Sequence, residues 1–255
     1  MASRPPPLRL LSSNIQAGSI TRAYREYLTR SWSHVLPSGK RGNLDALADG
    51  FSMFDVVGLQ ECDPGSLRSG FNNQCAYLAE RARFPYWSHQ ANRRISRIAG
   101  SGNALLSRLE PRALLDYALP GRIAGRGVLL ATFGEGEEAW QLAVTHLSLG
   151  TRSRQLQLSF LAELLADAPR LVLMGDFNCV ADAPEMQALY RRTRLQPPPV
   201  QPPTFPSWLA VRALDHVLYA GFELLSYRTV TAAGSDHLAL AAELQLSPSP
   251  TSGIG

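Results

Sequence analysis

The chain has 255 residues, 45% of them hydrophobic and 18% charged, with a formal net charge of +4 and a pI near 9.2. That composition belongs to a globular protein with a sizeable core and excludes disordered, collagen-like and disulfide-stapled chains. No apolar stretch approaches the roughly 18 residues of a membrane-spanning helix, and the opening MASRPPPLRLL lacks the apolar run of a secretory signal.

In chain order, LRLLSSN predicts a strand over 8–14 that ends on Asn14. Helical periodicity follows near 21–32, where Arg22, Arg25 and Arg30 interleave with Tyr24, Tyr27 and Trp32. With Lys40 and Arg41 beyond it, this region is either a solvated helix face over buried aromatics or a grip for a single nucleic-acid strand. A helix near 42–52 leads into a strand over 55–61, DVVGLQE, which reaches Glu61. Another helix near 72–83 precedes NRRISR, read as a loop carrying Arg93, Arg94 and Arg97, and then a strand over 103–107 that begins at Asn103. GRIAGRG supplies Arg122 and Arg126.

Strands over 126–133 and 139–147 bracket GEGEE as a hairpin, and the second ends near His146. A helix over 153–167 sets Leu156, Phe160 and Leu164 on one face, with Arg154, Gln157 and Asp167 largely elsewhere. The run LVLMGDFNCV carries a strand over 171–176 into Asp176 and Asn178. By themselves Gly, Asp and Asn there spell a turn. QPPPVQPPTFPSW reads as an extended surface loop, followed by strands over 214–219, 223–230 and 236–244. Asp215 and His216 lie at the start of the first of these, Asp236 and His237 at the start of the last. The tail, 247–255, is Pro/Ser/Gly-rich and expected to be disordered. Without repeats or linkers, residues 1–246 are expected to form one domain.

Hairpin-linked strands alternating with helices suit two packed sheets flanked by helices. Several of the apolar strands begin or end in Asn, Glu, His or Asp, and sheets can gather strand ends into one cleft. One such residue is ordinarily a solvated strand end; a set of them points to a site. Carboxylate and amide oxygens are hard ligands suited to Mg²⁺ or Mn²⁺, which bind phosphate oxygens. An Asp can align or deprotonate a water, and a histidine held by a carboxylate can stabilise developing phosphate charge. No zinc spacing, phosphate-binding P-loop or G-x-S-x-G elbow is present. Lys40 is the sole lysine among 25 basic residues, and the arginines that make up the rest suit phosphate oxygens. Cys62, Cys75 and Cys179 read as reduced thiols of a cytoplasmic protein.

Asn14, LQE with Glu61, GNALLSR with Asn103, THL with His146, GDFN with Asp176 and Asn178, LDH with Asp215, and SDH with Asp236 and His237 occur in one order. Over about residues 8–244 the chain resembles the endonuclease/exonuclease/phosphatase superfamily. The resemblance implies a four-layer α-β-β-α sandwich, two packed mixed β-sheets flanked by helices, with the site at one edge of the sheets. It implies Glu61 as principal ligand of Mg²⁺ (or Mn²⁺), Asn14 beside it on metal or phosphate, and Asp236 in the metal shell. Asp176 would activate the attacking water and Asn178 hold the phosphate. His237, polarised by Asp215, would contact the scissile phosphate, and His146 would sit over the leaving group. Asn103 would brace the site or bind substrate, and His216 is left as structural. The implied activity is Mg²⁺-dependent phosphodiester hydrolysis, with DNA or RNA ahead of a phospholipid head group or small phosphate ester; the competing class is a non-catalytic nucleic-acid-binding module that keeps the fold. Arg93, Arg94 and Arg97 are the candidate substrate-binding cations.

Overall fold

In the computed structural model the described residues are 6–16, 40–65, 73–95, 99–121 and 125–247, with backbone alone at 40–41, 91–95 and 99–100. The expected helix over 21–32 with its basic and aromatic residues, Arg97, Arg122, and the expected disordered tail from 248 onward lie outside them.

Apolar runs form the strands β1 (Leu8–Asn14), β2 (Val56–Cys62), β3 (Tyr86–Ile95), β4 (Ala99–Ser107), β5 (Ala113–Ala118), β6 (Gly127–Phe133), β7 (Trp140–His146), β8 (Leu171–Asp176), β9 (Asp215–Ala220), β10 (Phe222–Val230) and β11 (Ala239–Leu246). They assemble as a six-stranded sheet, β10-β11-β1-β2-β4-β3, and a five-stranded sheet, β5-β6-β7-β8-β9. Both sheets are mixed: β1 runs parallel to β2 and β7 parallel to β8, and the remaining pairs are antiparallel.

Successive side chains of a strand face opposite ways, so each central strand feeds two cores. Leu10, Val56, Leu142, Val144, Met174 and Val217 pack between the sheets. Leu11, Val57 and Leu59 instead meet Leu44, Leu47 and Phe51 of helix α1 (Lys40–Phe51) and Leu78 of α2 (Gln74–Arg81). Leu171 and Leu173 meet Leu158 and Leu161 of α3 (Thr151–Leu164) and Met186 and Leu189 of α4 (Met186–Arg192). The layers are therefore helix, sheet, sheet, helix, as expected. Strands buried on both faces read as continuous apolar runs, which is why β1, β2, β7, β8 and β9 are legible in the sequence.

The differences fall at edges and polar faces. Residues 92–95, expected in a loop, continue β3, which pairs with β4 from Tyr86↔Ser107 to Ile95↔Ala99. The strands β3 and β5 and the helix α4 were not predicted; β5 is an edge strand exposed along most of its length. On α3 the buried face includes Arg154, Gln157, Leu158 and Leu161, whereas Leu156 is exposed. Apolar periodicity misjudges that face because Arg154 and Gln157 are buried with hydrogen-bond partners. Among the described residues no helix is long and apolar enough to cross a membrane.

One glycine sets the approach of β7 to β8. Gly175 has φ +148, and a Cβ there would lie 1.8 Å from the Thr145 carbonyl oxygen. Backbone cannot yield as a flexible side chain does, so Gly175→Ala is expected to destabilise the fold by about 3 kcal/mol. Urea denaturation checks this; an unchanged midpoint would show that β8 tolerates a side chain there.

Candidate active site

Sheet register brings the expected residues together. His146 on β7 lies opposite Asp176 on β8, and Asp176 lies opposite Asp215 on β9. Directly opposed residues share a face, and these three continue the inward-facing rows of Val144, Met174 and Val217. Asn14 at the end of β1 continues the inward row of Leu10 from the other sheet. The site is thus the polar end of the inter-sheet core.

Asp176 is its focus. Its Oδ2 accepts from Asn14 Nδ2 at 3.1 Å and lies 3.3 Å from His146 Nε2 and 3.9 Å from His237 Nε2. Its Oδ1 accepts from the Asn178 backbone N–H at 2.9 Å. Asn178 adopts φ +55, a left-handed conformation that asparagine tolerates, and its Nδ2 donates to the Leu147 carbonyl at 3.0 Å. The segment GDFN is both a turn and a means of presenting Asp176 and Asn178.

His237 is aimed from behind. Its Nδ1 lies 2.8 Å from Asp215 Oδ2, which also accepts from Thr204 Oγ1 at 2.6 Å. Phe205 packs against the imidazole at 4.9 Å between ring centroids. Ser235 Oγ accepts from the His237 backbone N–H at 3.0 Å and donates to the Asn14 carbonyl at 2.6 Å, tying the SDH turn to β1. Asp236 is buried, and its carbonyl accepts from the Ser207 N–H at 2.7 Å. Glu61 sits half-buried with φ +57, where the β2–β4 register shifts between Leu59 and Cys62. A bulge of this kind re-aims a side chain away from the ladder.

Burial, followed by the neighbouring Asp215, raises the Asp176 carboxyl, and Glu61 adds to the shift. Burial raises Asp236 as well, again with Glu61 contributing. For His237 burial opposes the charge, but Asp215, Asp176 and Asp236 outweigh it and raise the imidazole. His146 is lowered by burial, then by Arg126 and His237. Three buried carboxylates therefore surround one favoured imidazolium, with the half-buried Glu61 bearing on Asp176 and Asp236, a gathering of negative charge that fits a divalent cation. One atom each of Asp176, Asp215 and His237 lie within 4.8 Å of one another, but this trio is bound up in the Asp215–His237 hydrogen bond. Glu61, Asp236 and Asn14 bring further oxygen donors near this cluster, and Asn14 Oδ1 accepts from the Gln16 N–H at 3.1 Å.

Asn103, expected to brace the site or bind substrate, lies between the sheets. Fully buried, its Nδ2 donates to the Gly127 carbonyl at 2.8 Å and to Gln90 Oε1 at 3.0 Å. Its Nδ2 thus braces the two sheets, while its buried Oδ1 makes no hydrogen bond among the described residues. Arg93 and Arg94 lie on β3 opposite Ser101 and Gly100; they belong to a strand, not the loop expected. His216 faces the other way, its Nε2 2.8 Å from the Cys179 carbonyl and its Nδ1 3.2 Å from Gln201 Oε1.

Thr204, Phe205 and Ser235 were missed in the sequence. The proline-rich segment was read as surface, yet Thr204 is fully buried and its backbone pairs with Leu238 and Arg212. Its only sequence signal is a threonine interrupting a proline run, which carries no distance information. Cys62, Cys75 and Cys179 are free and buried.

Solved structures similar in shape share little sequence with this chain. An endonuclease/exonuclease/phosphatase from Beutenbergia cavernae superimposes with a TM-score of 0.77 at 20% identity, covering 97% of this chain and 73% of that one. Bacteroides thetaiotaomicron mannosyl-6-phosphatase gives 0.63 at 16%, covering 93% and 99%. The human Nocturnin catalytic domain, solved with a bound sulfate anion, gives 0.63 at 17%, covering 95% of each chain. No curated protein matches in sequence. The endonuclease/exonuclease/phosphatase family model matches residues 11–237, from β1 through the SDH turn, and the chain belongs to that family of phosphoester hydrolases.

Proposed function

We propose that this protein is a Mg²⁺-dependent phosphodiesterase that acts on DNA or RNA. The observation that carries the reading is Asp176 Oδ2, which faces Asn14, His146 and His237 within one buried cluster of carboxylates. Asp176 aligns the attacking water and takes its proton; a carboxyl raised by burial is a stronger base than a free aspartate. His237, held charged by Asp215, donates from Nε2 to a phosphate oxygen. Asn178 holds the phosphate with its remaining amide hydrogen, and His146 stands at the leaving group. Glu61, Asp236 and Asn14 Oδ1 are the residues to hold Mg²⁺, with Mn²⁺ as substitute. When bound, such an ion neutralises charge on the phosphoryl group.

The net charge of +4 and the half-buried Arg126, close enough to bear on His146, favour a polyanionic substrate. A second reading, a phospholipid or small-molecule phosphoesterase, is favoured by Leu209 and Val211. Both are exposed on the Phe205–Arg212 turn, next to His237. Salt separates the two: nuclease activity should fall steeply as salt displaces phosphate contacts, while cleavage of a small ester should not.

The experiment is Mg²⁺-dependent hydrolysis of single- and double-stranded DNA, RNA, sphingomyelin and bis-p-nitrophenyl phosphate. Asp176→Asn is expected to lower kcat by about 10³-fold while metal binding, followed by calorimetry, persists. Full activity in that variant would remove Asp176 from the chemistry. For Glu61→Gln, the Mg²⁺ concentration for half-maximal rate should rise at least about tenfold, with partial recovery in excess metal. An unchanged metal dependence would take Glu61 out of the ligand set.

A further inference from the structure

Behind the site lies a buried ion pair with no place in the chemistry above. Arg154 and Glu185 are each more than nine-tenths buried. Arg154 Nε and Nη2 donate to Glu185 Oε1 at 3.0 and 2.7 Å. Nη2 also donates to Thr151 Oγ1 at 3.1 Å. Nη1 donates to the Ser148 carbonyl at 3.3 Å and to the Leu149 carbonyl. One turn on, Gln157 accepts from the Ser148 N–H through Oε1 and donates through Nε2 to Ser148 Oγ, both at 2.9 Å. Every one of these bonds outside the ion pair and Thr151 ends on Ser148 or Leu149.

That loop follows His146 directly. Its first residue, Leu147, is locked on both sides to the Asp176 segment: its N–H donates to the Asp176 carbonyl at 2.9 Å, and its carbonyl accepts from Asn178 Nδ2 at 3.0 Å. Two residues later the chain is in solvent, with Leu149 78% exposed. Leu147 alone gives so short a loop an apolar anchor. Burying a guanidinium and a carboxylate carries a desolvation cost that a well-packed apolar pair avoids, so general fold stability does not require this pair. The planar fork of an arginine, however, can grip a carboxylate and two carbonyls at once, which neither lysine nor an apolar side chain can do.

We propose that Arg154, seated on Glu185 and seconded by Gln157, is a positioning residue that fixes the 147–149 loop and through it the placement of His146 and Asn178 against Asp176. The functional consequence rests on the phosphodiesterase reading; the mechanical one does not. Loosening the loop should shift two site residues by a fraction of an ångström to an ångström, enough to slow the chemical step without removing any group that binds metal or substrate.

The test replaces both ion-pair partners together, Arg154→Met with Glu185→Leu, so that no unpaired charge is left buried. Amide hydrogen exchange at Leu147 and Ser148 reads the loop without any activity, and hydrolysis of bis-p-nitrophenyl phosphate in Mg²⁺ reads the site. Exchange at Ser148 should quicken at least about tenfold. kcat should fall about 100-fold, with KM and the half-saturating Mg²⁺ concentration within about threefold of wild type. Arg154→Lys, which restores charge but not the fork, should recover part of kcat. Gln157→Leu, which deletes only the Ser148 bonds, should quicken the same exchange with a smaller loss of kcat, and it serves if the double variant fails to fold. Unchanged exchange would overturn the clamp, and faster exchange at full kcat would overturn its role in positioning. A wild-type protein inactive on every phosphate ester would sink the phosphodiesterase reading alone, since the exchange result would still stand.

Discussion

The organisation of this protein depends on holding one carboxylate, Asp176, at the buried end of a strand among other negative charges. Left alone in an apolar interior, a carboxylate would take up a proton or break the packing around it. Here it is stabilised by three nitrogen-bearing side chains drawn from β1, β7 and the SDH turn. Two sheets must therefore close on one another with their polar ends in register. Gly175, immediately before Asp176, lets β7 and β8 approach closely, and Gly58 does the same across the sandwich against Met174 and Val144. The core packing and the polar site are parts of one arrangement.

Around that carboxylate the support is layered. His237 is oriented by Asp215, Asp215 by Thr204, and the SDH turn by Ser235. On the opposite flank Asn178 and Leu147 are joined, and the loop between β7 and α3 is gripped by Arg154 and Gln157. Asn103 and Gln90 bridge the sheets at the level of β6. Sites that must place groups to within a fraction of an ångström need such backing, and the polar residues buried in this fold are concentrated in it.

What could be read without coordinates follows from periodicity and chemistry. Strands buried on both faces are continuous apolar runs, so β1, β2 and β7 to β9 are marked by composition alone. Asn14, Glu61, His146, Asp176, Asp215 and His237 are conspicuous because each is a polar residue that starts or ends such a run, and together they allow few chemistries besides phosphate-ester hydrolysis. Where local pattern was weak, reading failed. The edge strand β5 pairs on one side only and β3 mixes polar with apolar residues, so neither shows a clean alternation. The buried face of α3 was misjudged because Arg154 and Gln157 count as polar in any periodicity, whatever partners they have.

The sequence by itself determined the alternation of strands and helices, the candidate site residues and the family, since these depend on residue type and spacing along the chain. Tertiary structure alone decided which groups meet. Asn14 and Asp176 are 162 positions apart yet hydrogen-bonded, and Thr204, hidden in a proline-rich stretch, proves to hold Asp215. Only the structure showed Asn103 bonded across the two sheets and Arg154 buried against Glu185 and the Ser148 carbonyl. Hydrogen bonds and burial are properties of pairs brought together in space, and no single residue's type or neighbours along the chain encode the partner it will find.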